Sequence, residues 1–178
     1  MPPPSRPRLL SRRVIYTGRI FRVELDTVRL PHGRKATLEI VRHRGSVVLL
    51  AQPSRDRIVL VRQYRYVIGR WIWELPAGSR EPGERPAMCA RRECEEEIGL
   101  TPRSVRRLMT LYPTPGFCDE LMAFYHCTDL RPLRRGVERD ADEQLEPRVF
   151  SVAAARALVA AGQIIDMKTV VGLRLIES

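Results

Sequence analysis

The stretch that decides how this chain is read is GSREPGERPAMCARRECEEEIGL, from Gly78 to Leu100. Pro86 suits the first turn of a helix and Gly99 its end, so a loop punctuated by glycine and proline leads into a helix over 86–98. At about 100° per residue, Glu93, Glu96 and Glu97 occupy about one third of the helix surface. An apolar stripe of Ala87, Ala90, Cys94 and Ile98 lies beside them, so the acids are expected to border the buried side. Carboxylates this close repel one another. A hard divalent cation removes the conflict, because Mg²⁺ and Mn²⁺ take carboxylate oxygens with waters and substrate phosphates completing the shell. Arg92, four residues before Glu96, can hold one carboxylate in place. Taken alone, the same cluster also fits a solvated acidic helix face.

Outside this stretch, composition limits the choices. The chain has 178 residues, 44% hydrophobic and 29% charged, which is globular composition and enough for one domain, alone or with a small appendage. No apolar run nears the roughly 18 residues of a membrane span. The N-terminus is basic without an apolar core, so it is not read as a secretory signal, and a cytoplasmic location is expected. The net charge of +10 invites a nucleic-acid reading, yet only Lys35 and Lys168 are lysines among 31 basic residues, and the arginines are spread along the chain. Phosphate-backbone binders usually concentrate both residue types, so no nucleic-acid partner is expected. The acids, by contrast, are concentrated: six of 21 fall within 81–97, and Glu138, Asp140, Asp142, Glu143 and Glu146 form a second group. Cys89, Cys94, Cys118 and Cys127 show no zinc spacing and read as reduced thiols.

Residues 1–12 read as a flexible basic, proline-rich tail. Strand-like stretches follow at 13–18, 21–30, 36–44, 46–52 and 57–66, then at 105–112, 121–130 and 146–150. The first three suggest an antiparallel meander over 13–44, apart from a main domain at 45–178. Ser151 is placed to cap a helix that Gly162 ends, and Asp166 to open a last one. Interleaved strands and helices give an α/β class, a mixed sheet covered by helices.

The stretch Gly78–Leu100 resembles the Nudix box: a glycine, five residues, Glu, seven residues, Arg-Glu, an aliphatic, any residue, Glu-Glu, any residue, Gly and an aliphatic. Gly78, Glu84, Arg92, Glu93, Glu96, Glu97, Gly99 and Leu100 fall in register, with Cys94 the one departure. The resemblance implies the Nudix fold, an α/β/α sandwich around a mixed β-sheet, and a hydrolase of nucleoside diphosphates linked to another moiety. It further implies divalent metal, Mg²⁺ or Mn²⁺, held by Glu93 and Glu97, with Glu96 as further ligand or outer partner. By the family pattern Ala77 offers its carbonyl, while Gly78, Glu84, Arg92 and Gly99 are structural.

Three features outside the box resemble the ADP-ribose and nucleoside diphosphate sugar pyrophosphatase branch. ELPAG at 74–78 runs into the box after RQYR and the pair Trp71 and Trp73. Pro115, fifteen residues beyond Leu100 and followed by Gly116, sits where the branch carries a marker proline. Counting back from Val149-Phe150-Ser151, Glu143 matches the glutamate that acts as base in that branch, with Glu120 as second candidate. The resemblance implies that Arg65 contacts substrate, that Trp71 stacks on adenine, and that Arg42 crosses a dimer interface to the substrate; on the residues alone, surface charge and core aromatics remain open for these. The expected activity is hydrolysis of ADP-ribose to AMP and ribose 5-phosphate by a homodimer joined through its N-terminal strands. Alternatives are another nucleoside diphosphate sugar, of GDP-mannose or ADP-hexose type, a non-catalytic Nudix sensor or regulator, and an RNA-directed hydrolase.

Overall fold

The computed structural model describes residues 5–133 and 145–176. It divides into two compact units, one of residues up to 45 together with 112–121, the other of the remainder.

The first unit is built on three antiparallel strands, β1 (Arg8–Thr17), β2 (Phe21–Arg29) and β3 (Lys35–His43), in the order β1-β2-β3. β1 begins at Arg8, inside the stretch expected as a loose tail. Pairing with β2 explains the extension: Arg8 lies opposite Arg29, and the Arg12 guanidinium donates to both oxygens of Asp26 at 2.7 Å. The alternation expected of a strand is present on β2, but Glu24 and Asp26 are buried there beside Val28. Arg12, Arg22 and Arg42 compensate this acidic face. The guanidiniums hold both carboxyls below their ordinary range, Arg42 on Glu24 and Arg12 on Asp26. Residues 112–121 join this unit through β3, where Val41 N donates to Phe117 O at 2.8 Å and Asp119 N to Val41 O at 3.1 Å.

Among the described residues the second unit carries seven strands and three α-helices: β4 (Ser46–Ala51), β5 (Arg57–Arg65), β6 (Arg70–Glu74), β7 (Ala77–Ser79), α1 (Pro86–Ile98), β8 (Leu100–Leu111), β9 (Met122–Pro132), β10 (Leu145–Ser151), α2 (Val152–Ala160) and α3 (Met167–Leu175). One sheet has the order β7-β4-β9-β8 and is mixed, since β4 and β9 are parallel; the other is β10-β5-β6. β4 is buried along all six residues, and its two faces feed different cores. Val47, Leu49 and Ala51 pack with Cys89, Ala90, Cys94 and Ile98 of α1. Val48 and Leu50 pack with Val152 and Ala155 of α2 and Leu173 of α3. This is the expected α/β/α layering. Ser151 and Asp166 cap α2 and α3 by accepting from Ala154 N and Thr169 N. Among the described residues no helix is long and apolar enough to cross a membrane.

Candidate active site

α1 starts at Pro86 and closes at Gly99, whose φ of 69° is left-handed and whose N–H returns to Glu95 O at 3.1 Å. The short strand β7 runs beside β4 and faces this helix. Glu93 and Glu97, one turn apart, point at β7 and are only 7% and 6% exposed. They sit in the middle of the buried face rather than at its border, and Cys89 is buried with them while Ala87 is exposed. The reason is non-local: β7 supplies polar backbone where a core would otherwise require apolar side chains. Glu97 Oε2 accepts from Ala77 N at 3.1 Å. A Cβ built on Gly78 would lie 1.9 Å from the carboxyl carbon of Glu93, so only glycine leaves that carboxylate its place.

Arg92 is the organiser of the remaining box residues. Its Nε and an Nη donate to Glu84 at 3.0 and 3.1 Å, and its other Nη lies 2.7 Å from Glu96 and 2.8 Å from Glu93. Glu84 also accepts from Glu81 N at 2.9 Å, and Arg92 holds its carboxyl below the ordinary range. Arg92 thus ties the 80–85 loop to the helix and offsets the crowding of Glu93 and Glu96. Burial, with Glu93 and Glu84 nearby, pushes the Cys89 thiol up, so it stays protonated.

Among the described residues no group of three or more His, Cys, Asp or Glu side chains is arranged to hold a metal ion. Two nearly buried carboxylates facing the backbone of β7 nevertheless suit a hard cation that draws further oxygens from carbonyls, water and substrate phosphates. The donor set therefore fits a divalent ion whose shell is completed when substrate is present.

Other sequence-selected residues lie elsewhere. Arg65, expected to contact substrate, gives Nε and an Nη to both oxygens of Glu74 at 2.7 Å each. Trp71 lies on β6, 38% exposed, edge-on to Tyr64 with the Arg62 guanidinium 5.2 Å from its ring. Arg42, Pro115, Gly116 and Glu120 belong to the first unit. There Arg42, Pro115 and Gly116 line a cleft of about 840 Å³ with Leu38, Tyr112 and Phe117. Arg42 bonds Glu24 at 2.9 Å and Asp119 at 3.1 Å, and Glu120 comes within 3.9 Å of His43 Nδ1. Glu143 lies outside the described residues. The sequence offered Asp166 only as a helix start; the structure sets it, half-buried, beside the buried Glu74, Lys168 and Thr169. A lysine in a chain that otherwise uses arginine was the available signal for this group.

A NUDIX domain model matches residues 41–168, and a nucleoside diphosphate sugar hydrolase N-terminal domain model matches residues 8–41. The chain is 32% identical to an ADP-ribose pyrophosphatase of Bacillus subtilis over 170 residues, covering 96% of this chain and 92% of the relative. It is 34% identical to an ADP-ribose pyrophosphatase of Mycobacterium tuberculosis over 170 residues, covering 95% and 82%. A crystal structure of an ADP compounds hydrolase superposes with a TM-score of 0.83 over 97% of this chain and 92% of that one, at 23% identity, which speaks for the fold. A box in register, a strand glycine packed tightly on the buried Glu93 and a domain match over most of the chain have one common account: this protein belongs to the Nudix hydrolase family.

Proposed function

We propose that the chain hydrolyses ADP-ribose with one water to AMP and ribose 5-phosphate, using Mg²⁺, for which Mn²⁺ can substitute. Nudix hydrolases generally act with a divalent metal, and the relatives named ADP-ribose pyrophosphatase match nearly end to end. The observation that carries the reading is the seating of Glu93 and Glu97 against Ala77 and Gly78. Those two side chains and the Ala77 carbonyl are the proposed ligands, with Glu96 in an outer position on Arg92. When bound, the cation neutralises the diphosphate oxygens and lowers the pKa of water, a contribution of several kcal/mol.

The protein's own part is to hold the acids still. Ala77 N fixes one oxygen of Glu97, and Arg92 lies between Glu93 and Glu96, so neither carboxylate has to reorganise as the diphosphate arrives. Glu143 is the proposed base and Glu120 its alternative. Arg65 is bonded to Glu74, so its contact with substrate is proposed only through one edge of the guanidinium. Trp71, on an exposed rim, is the proposed stacking surface, and Pro115, Gly116 and Arg42 the remaining substrate-facing residues. The proposed assembly is a homodimer.

The test is incubation of purified protein with ADP-ribose and Mg²⁺, following AMP by chromatography. Glu97→Gln should lower kcat/KM by about 100-fold or more, in the range set by losing a metal ligand. Absence of turnover, or turnover indifferent to Glu97→Gln, overturns the reading. The match of residues 8–41 to an N-terminal domain of nucleoside diphosphate sugar hydrolases favours one second reading, another sugar on the diphosphate. GDP-mannose and ADP-glucose in the same assay, compared by kcat/KM, decide between the two.

A further inference from the structure

Four consecutive residues, from the last of β6 to the first of β7, are held between them by four other elements. Glu74, 1% exposed, receives both donors of Arg65 from β5 and the ammonium of Lys168 from α3. Leu75 N donates to Thr169 Oγ1 on α3 at 2.7 Å. Pro76 O accepts from Leu49 N on β4 at 2.8 Å, and Ala77 N donates to Glu97 on α1 at 3.1 Å. Thr169 is fully buried, Lys168 is 7% exposed, and the Thr169 hydroxyl donates a hydrogen bond to Asp166 Oδ2 at 2.6 Å. Lys168 also lies 3.1 Å from Asp166.

Burying a lysine is costly, and a buried ion pair seldom adds stability over apolar packing. A buried pair placed beside this segment instead fixes geometry. The Thr169 hydroxyl accepts from Leu75 and donates to Asp166, so its removal leaves a buried amide without an acceptor. That loss falls two residues from Ala77, whose N–H donates to Glu97.

We propose that Thr169 and Lys168, at the start of α3, are positioning residues that hold the Leu75–Gly78 segment in register with Glu93 and Glu97, and so set metal affinity from the opposite layer of the sandwich. The proposal rests on the metal reading above. It concerns residues outside the Gly78–Leu100 box.

The full chain carrying Thr169→Val, Thr169→Ser or Lys168→Met is titrated with Mn²⁺ by electron paramagnetic resonance, alongside steady-state kinetics with ADP-ribose and thermal melting. Thr169→Val should weaken Mn²⁺ binding and lower kcat by about tenfold each, the effect typical of partners that orient a ligand, with the KM for ADP-ribose much less changed. Thr169→Ser should restore both. Lys168→Met is read on the same axes, so a Thr169→Val chain that does not fold leaves the test intact. Mn²⁺ affinity and kcat within about twofold of the parent in the folded variants overturn the proposal, whatever the melting temperature does. Glu97→Gln runs in parallel: if it too keeps Mn²⁺ affinity, the metal reading has failed, whereas a defective Glu97→Gln beside normal Thr169 and Lys168 variants removes the positioning role alone.

Discussion

At Gly78 the missing side chain is what leaves room for Glu93. A Cβ there would fall 1.9 to 2.2 Å from the carboxylate atoms of Glu93, the far end of a flexible side chain. Relief is therefore cheap for the fold and costly for the site, because Glu93 turns away while the backbone stays. Gly78→Ala should leave the melting temperature within a few degrees and reduce Mn²⁺ affinity and kcat about 10- to 100-fold; calorimetry beside a metal titration checks both halves. Glu74 gives the opposite pattern. Burial raises its carboxyl pKa, but Arg65 and Lys168 outweigh it and hold the value below the ordinary 4.5. A depressed pKa contributes stability that is present above about 4.5 and is lost as pH falls through the folded value. Glu74→Gln removes one of the two carboxylates beside Lys168, leaving Asp166 at 3.1 Å, and should cost about 3 kcal/mol at pH 7, the low end for breaking a buried pair. That difference should shrink on acidification below the ordinary carboxylate range, as denaturant melts at pH 7 and 3.5 would read.

At the scale of elements, α3 meets the Leu75–Gly78 segment a second time. A Cβ on Gly172 would lie 2.3 Å from Leu75 Cδ1, with Leu50 behind at 3.6 Å, and both leucines are fully buried in one core. Leu75 has no open side to move toward, so Gly172→Ala should destabilise by about 1–3 kcal/mol, measured by urea unfolding. Helix α1 was legible in the sequence because Pro86, Gly99 and the apolar period are local signals. Its orientation was not: Glu93 and Glu97 turn inward because β7 waits there, and β7 was itself unread, three residues whose pairing with β4 is set by tertiary contact. β8 begins at Leu100 rather than near Val105, since its first residues pair with the far end of β9, a partner some thirty positions on. Arg65 looked available because Glu74 lies nine residues away. Only the β5–β6 hairpin, with Arg65 opposite Arg70 and Glu74 opposite Val61, brings the two onto one face. The acidic face of α1 was thus readable from spacing, and its supports were not, because supports come from distant segments.

For the whole molecule, the net charge of +10 is a poor guide to partners. The first unit uses Arg12, Arg22 and Arg42 to neutralise buried Glu24 and Asp26, and the second uses Arg65 and Arg92 on glutamates, so several arginines are spent internally. Beside its exposed arginines the first unit also leaves apolar area open. Val14, Ile15 and Tyr16 are consecutive and 51, 48 and 54% exposed, so both faces of β1 carry apolar area, and Leu9, Ile20 and Phe21 add to it. Soluble monomers seldom expose contiguous apolar patches beyond a few hundred Å². A second copy of the chain covering β1 is the proposed occupant. Sedimentation equilibrium should then return twice the chain mass of 20.5 kDa. Ile15→Glu should shift the species toward monomer by placing a charge in the contact, whereas Arg19→Glu, nearby and polar already, should not. Because the covered surface is apolar, association should persist when salt screens charge and weaken on cooling, the reverse of a contact made by arginines. A single 20.5 kDa species at micromolar concentration, or a dimer that dissociates in 0.5 M salt at roughly the Debye screening expected for ion pairs, would leave β1 without this partner.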